Sequence, residues 1–103
     1  MRLERLPVFF RLSRRNSRIK GQLDYVPDAM VITIYTKNIE SPEDLEQTIA
    51  HEILHIIHPD WDEEKVESES KVLAESEEFR RWLCQKAREY ESLAMLFRAM
   101  SES

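Results

Sequence analysis

The chain has 103 residues, enough for one core and too few for two. Hydrophobic residues make up 42% and charged residues 34%, the balance of a globular domain rather than a disordered segment. The net charge of −5 argues against nucleic acid as the main partner, and no apolar run approaches the ~20 residues of a membrane span. The first residues, Met1-Arg-Leu-Glu-Arg-Leu-Pro-Val-Phe-Phe-Arg11, lack the apolar stretch of a signal peptide. Cys84 is the only cysteine, which excludes an internal disulfide and agrees with a reducing compartment. A soluble cytoplasmic domain is therefore expected, with Cys84 as a small buried or half-buried side chain.

In chain order, Pro7–Ser13 reads as a strand of β-branched, aromatic and aliphatic residues. Arg14–Ser17 reads as a turn and Ile19–Tyr25 as a second strand. Gly21 inside it marks a bulge or a close approach. Val26-Pro27-Asp28 forms the next turn, and Met30–Tyr35 is the best strand in the sequence. Ser41-Pro42-Glu43-Asp44 has the composition of a helix start, with a serine cap, proline in the first turn and acids beside it. That helix should run to about His58 and stop at Pro59. Asp62 then caps a second helix, predicted to run unbroken to about Tyr90. Leu93–Met100 is helical by propensity and strongly apolar. The expectation is an α+β domain over residues 1–103, a small sheet of about three strands on two or three helices.

The charge is uneven. Residues 1–20 hold seven basic side chains against Glu4, and residues 60–78 hold nine acids against Lys65 and Lys71. The simplest expectation is that the basic end faces the acidic helix, within the molecule or on a neighbour.

The first helix carries His51-Glu52-Ile53-Leu54-His55, an HExxH sequence. Residues four apart lie on one helix face, so two imidazoles can hold one Zn2+ from a rigid platform. Glu52, next to the first ligand, can then act as general base and acid on a water at that ion. The surrounding residues Thr48, Ile49, Ala50, Ile53, Leu54, Ile56 and Ile57 predict a helix apolar on nearly all sides. Polar groups within such a helix need partners.

A catalytic zinc takes three protein ligands. His58 shares a face with His51 and His55 but stands roughly 10 Å from His51 along the axis, too far for one ion. Folding the chain back at residues 60–61 brings residues 66–70 level with 51–55. Glu67 falls in that window and is the predicted third ligand. Glu63 lies too close to the corner and is the next choice; Glu75 lies too far past it. Glu69 points roughly 160° away from Glu67. No residue stands out as the stabiliser of an oxyanion, Tyr35 and Tyr90 being the candidates.

HExxH followed by a glutamate ligand on the next helix resembles the gluzincin zinc peptidases. The longer run from His51 to Asp60, HExxHxxxxD, is similar to the catalytic segments of membrane CAAX-processing proteases and beta-lactam sensor-transducers. The length and the lack of membrane helices make the chain most similar to the minigluzincins, soluble single-domain versions of that core. The resemblance covers about residues 30–75. It implies zinc ligation by His51, His55 and Glu67, with Glu52 as general base/acid and Asp60 as a supporting or corner-capping acid. The family's ExxxD pattern departs here, since Lys71 stands where its second acid would be. The resemblance also implies that Met30–Tyr35 is the sheet edge above the cleft, and that the C-terminal segment 91–103 can keep the enzyme latent as a zymogen. Leu93, Leu96, Phe97 and Met100 would either occlude the cleft, in one chain or across a homodimer, or complete the core.

The expected function is thus a zinc metalloendopeptidase acting on peptide or protein substrates. Two other classes remain open. One is a zinc-stabilised binding module without chemistry. The other is a DNA-associated protease similar to the SprT-like family, in which Arg11, Arg14, Arg15 and Arg18 would contact phosphates.

Overall fold

The computed structural model describes residues 3–101. Arg2 of the basic end and residues 102–103 of the C-terminal segment lie outside them. Three strands form one mixed sheet: β1 (Val8–Ser13), β2 (Gly21–Val26) and β3 (Ala29–Tyr35). The order is β1-β3-β2, with β3 parallel to β1 and antiparallel to β2. The register puts Phe10 and Leu12 of β1, and Leu23 of β2, beside Ile32 and Ile34 of β3. Ile32 and Ile34 are fully buried, and Phe10, Leu12 and Leu23 pack against the same core. The alternate positions form the other face. There Arg11 donates two hydrogen bonds to Thr33 Oγ1, at 3.2 and 3.1 Å.

Met30–Tyr35 is therefore not the sheet edge expected from the resemblance. The most apolar, β-branched run takes the centre, where both of its edges are paired. Within this sheet the edges are β1 and β2. The hairpin joining β2 to β3 turns on Pro27, which fixes its own φ, and Asp28, which adopts a left-handed φ of 66°. The ladder runs unbroken from Gly21 opposite Ile34 to Val26 opposite Ala29, so Gly21 marks no bulge.

Four helices follow: α1 (Pro42–Ile57), α2 (Glu63–Glu75), α3 (Glu77–Glu89) and α4 (Glu91–Ser101). Ser41 caps α1 as expected, its hydroxyl accepting the Asp44 N–H at 3.0 Å. Helix α1 ends at Ile57, and His58 N–H still reaches the Leu54 carbonyl at 2.7 Å. Asp62 caps α2, its Oδ1 accepting the Lys65 N–H at 2.8 Å.

The predicted helix from Asp62 to Tyr90 is two helices. Ser76 is extended (φ −72°, ψ 143°) and serves as the last cap of α2 and the first of α3. Its hydroxyl accepts the Phe79 N–H at 3.2 Å, and Glu77 and Glu78 fill the first turn. The serine followed by two acids is a start signal inside an apolar stripe. The break lets Phe79, Trp82 and Leu83 of α3 enter the core that Ala74 of α2 also reaches.

The core joins the sheet's apolar face to Leu45, Ile49, Ala50 and Ile53 of α1, to α3, and to Leu93 of α4. Leu93 is fully buried, and Leu96, Phe97 and Met100 pack against the same cluster. These contacts make the segment part of the core. Cys84 is exposed on α3, contrary to the expected burial. No helix among the described residues is long and apolar enough to cross a membrane.

Candidate metal centre

Helix α1 presents its two histidines to α2, which doubles back after the short corner at residues 58–62. His51 Nε2 and His55 Nε2 lie 3.1 Å apart. The Glu63 carboxylate spans both, with Oε1 2.8 Å from His55 Nε2 and Oε2 3.2 Å from His51 Nε2. One ligand atom from each of these three residues falls within a sphere of mutual distances no greater than 4.8 Å. Two nitrogens bound to one tetrahedral zinc at 2.0–2.1 Å would stand about 3.3 Å apart. The spacing found between the imidazoles is close to that value, so the residues present fit the group.

Glu67, the third ligand predicted from the sequence, is also at His51 but on the other side of the ring. Its Oε2 lies 3.3 Å from His51 Nδ1. The structure therefore brings together His51, His55 and Glu63 on one side, and places Glu67 where a carboxylate can fix the ring's tautomer and direction. By sequence position alone Glu63 lies too close to the corner. Its position in the first turn of α2, with a side chain 74% exposed and free to lean back over α1, brings it to both imidazoles. Glu75 is exposed, as is Asp60 in the corner, and Glu69 is half-buried. His58 is not drawn in. Its ring stacks on Trp61 with centroids 3.7 Å apart and planes 4° from parallel. Lys65 Nζ lies 4.6 Å from the Trp61 ring centroid.

Glu52 is 8% exposed. Among the described residues it makes no hydrogen bond and no ion pair. Burial lifts its pKa above the ordinary carboxylate value; His55 nearby opposes the rise, and Glu63 adds to it. Its side chain lines the cleft beside the two histidines, where solvent can reach the carboxylate.

Two cavities meet at this point. One, of about 370 Å³, lies between Lys20, Gly21, Asp44, Thr48 and Glu67. The other, of about 500 Å³, lies between Leu23, Tyr25, His55, Pro59 and Glu63. His51 and Glu52 line both. The strand at this cleft is β2, not β3, and Gly21 is what brings it so close. A Cβ built on Gly21 would come within 2.8 Å of Thr48 Cγ2 and 3.6 Å of Glu52 Cγ. The close approach read from the sequence at Gly21 is thus found, and its location beside Glu52 is new. Neither cavity is lined by α4, by Tyr35 or by Tyr90. Tyr35 donates to Gln22 Oε1 at 3.1 Å, and Tyr90 packs edge-on against Phe10. Tyr25 is the tyrosine at the cleft.

Among the described residues no ion pair within 4 Å joins the basic end to residues 60–78, but Lys20 shares a cavity with Glu67 and feels its charge. Lys20 Nζ holds both Asp44 carboxylate oxygens of α1, at 2.8 and 2.9 Å, and Arg11 lies 3.8 Å from Asp24. The Asp44 hydrogen bond holds the Lys20 pKa above the ordinary lysine value. Arg14, Arg15 and Arg18 are exposed.

Compared with protein-family models, curated proteins and solved structures, the chain matches none. The functional reading rests on its own residues.

Proposed function

We propose that the chain is a zinc-dependent peptidase of the minigluzincin type, in which His51, His55 and Glu63 hold the ion. The observation that carries this reading is the pair of facing Nε2 atoms bridged by Glu63, with the buried, unpartnered Glu52 beside them. Zinc bound there would supply a Lewis acid for a peptide carbonyl and acidify a water. Glu67 at His51 Nδ1 acts as a positioning residue for that ring.

The remaining steps belong to the chain's own groups. Glu52 accepts a proton from the attacking water and returns it to the leaving amine. Burial holds its pKa above the ordinary carboxylate value, which makes it a stronger base than an exposed glutamate. Strand β2, an edge of the sheet, offers backbone donors and acceptors to an extended peptide lying along the cleft. His51 and Glu52, walls of both cavities, would then face the scissile bond.

The test is hydrolysis of a quenched-fluorescence peptide pool by the zinc-loaded chain, beside Glu52→Gln. The variant should keep zinc and lose activity by about 10²–10⁴-fold. Equal activity in the variant would reject the mechanism. Zinc binding with no hydrolysis of any peptide would move the chain to the non-catalytic binding module.

A further inference from the structure

Of the three residues at the proposed metal centre, Glu63 is held least by its own helix. His51 and His55 stand well inside α1, whereas Glu63 is the first residue of α2, with a side chain 74% exposed. Among the described residues its carboxylate forms ion pairs only with the two imidazoles. What aims Glu63 before an ion arrives is therefore the path of the backbone out of α1 and into α2.

That path is fastened by aromatic side chains as well as by the backbone. The Trp61 N–H donates to the His58 carbonyl at 3.1 Å, closing a turn over residues 58–61 with Pro59 in its second position. The side chains at the two ends of this turn also meet. The His58 ring lies flat on Trp61, 3.7 Å between centroids and 4° from parallel. Lys65, in the first turn of α2, reaches back to place Nζ 4.6 Å from the Trp61 ring centroid. Trp61 thus touches the C-terminal cap of α1 on one side in sequence and the start of α2 on the other, and Glu63 lies between Trp61 and Lys65. A proline and a capping aspartate are enough to turn a corner. Neither His58, Trp61 nor Lys65 lines either cavity beside Glu52, so these three do not stand where an ion or a substrate would touch them.

We infer that Trp61, held by His58 and Lys65, is a positioning residue for Glu63. The stack holds the corner at the angle from which the carboxylate meets both imidazoles, which lowers the cost of ordering it when an ion binds. His58 then serves as a stacking partner and not as a ligand. The inference rests on the reading of His51, His55 and Glu63 as a metal site.

The test is zinc affinity, measured by titration of the metal-free full chain and its variants, with circular dichroism as the check on folding. Trp61→Ala should bind zinc about three- to tenfold more weakly, and Trp61→Phe, which keeps a ring on His58, should recover most of the loss. In a Glu63→Ala background Trp61→Ala should cost nothing more, because it acts only through that carboxylate. His58→Phe, which keeps a ring and removes both nitrogens, should bind zinc like the wild type, whereas His58→Ala should weaken it. This second pair carries the test if Trp61→Ala does not fold. Unchanged affinity in the folded alanine variants, or an equal loss with Glu63 already removed, would overturn the inference. So would a His58→Phe as weak as His58→Ala, since the nitrogens and not the stack would then matter. Zinc binding that depends on Glu63 but not on Trp61 or His58 defeats this inference alone; a wild type that binds no zinc defeats the metal site itself.

Discussion

Gly21→Ala is a sensitive probe of how the edge strand is seated on α1. The glycine does not have a positive φ, so alanine meets no backbone strain there. On conformational entropy alone the substitution should stabilise the protein by about 0.4–1 kcal/mol. The contact opposes this. The new methyl would sit 2.8 Å from Thr48 Cγ2, where ordinary carbon contacts are about 3.5–4.0 Å. Thr48 cannot simply turn aside, because its hydroxyl donates to the Asp44 carbonyl at 2.8 Å and β-branching limits its rotamers. Either β2 or α1 must give by several tenths of an ångström, at an overpacking cost of about 1–3 kcal/mol. The net expectation is a loss of about 0.5–2 kcal/mol, or roughly 2–15 °C in Tm for a domain near this size. Thr48→Ser removes Cγ2 but keeps the hydroxyl. The double variant Gly21→Ala/Thr48→Ser should recover most of the loss, with a coupling of about 0.5–2 kcal/mol in a urea-denaturation cycle. A neutral single variant, or a double variant no better than the sum of its parts, would refute the packing argument.

Other consequences follow from the same geometry. Leu93→Ala should cost about 2–5 kcal/mol in urea unfolding, while Met95→Ala, at an exposed site on the same helix, should change stability by less than about 0.5 kcal/mol. By the same burial, a chain ending at Tyr90 should lose its cooperative transition rather than gain activity; a folded and more active truncation would restore the latency expectation. Glu52→Gln should raise the Tm of the metal-free protein at pH 7. Burial lifts the Glu52 pKa, so its stabilising contribution is full below the unfolded value near 4.5 and is lost as pH rises through the folded value. The gain from glutamine should accordingly be absent at low pH and present above the folded pKa, and a gain that is independent of pH would contradict the assignment. Glu67→Gln should weaken zinc by about 10- to 100-fold while leaving one ion per chain, the signature of a positioning residue. Complete loss of the ion in that variant, with Glu63→Gln nearly silent, would return the third ligand to Glu67.

The elements with strong local signals were legible in the sequence. Ser41-Pro42 began α1, Asp62 began α2, and the three strands lie within a residue or two of their expected limits. The Ser76 break was missed because the apolar stripe from Val66 to Tyr90 has helical spacing throughout, and one capping serine within it carries little weight against that pattern. Strand order was also beyond local reading. It is set by which strand buries most on both edges, and Met30–Tyr35 won that place. At the site, His51, Glu52 and His55 follow from helix periodicity. The choice between Glu63 and Glu67 does not, because both face α1 and are told apart only by side-chain placement, Glu63 reaching Nε2 of both histidines and Glu67 the Nδ1 of His51. The sequence allows Gly21 either a bulge or a close approach, and which of them holds, with Glu52 as the neighbour, emerges only when β2 is laid against α1.

The central claim is that His51, His55 and Glu63 form one metal site. Isothermal titration of metal-free chain with zinc tests it most directly, run beside His55→Ala and Glu63→Ala with circular dichroism to confirm that each remains folded. The account predicts one ion per wild-type chain, no measurable site in folded His55→Ala, and an affinity at least about tenfold weaker in Glu63→Ala. A folded wild type that binds no zinc, or one whose affinity is unchanged by His55→Ala, would contradict it.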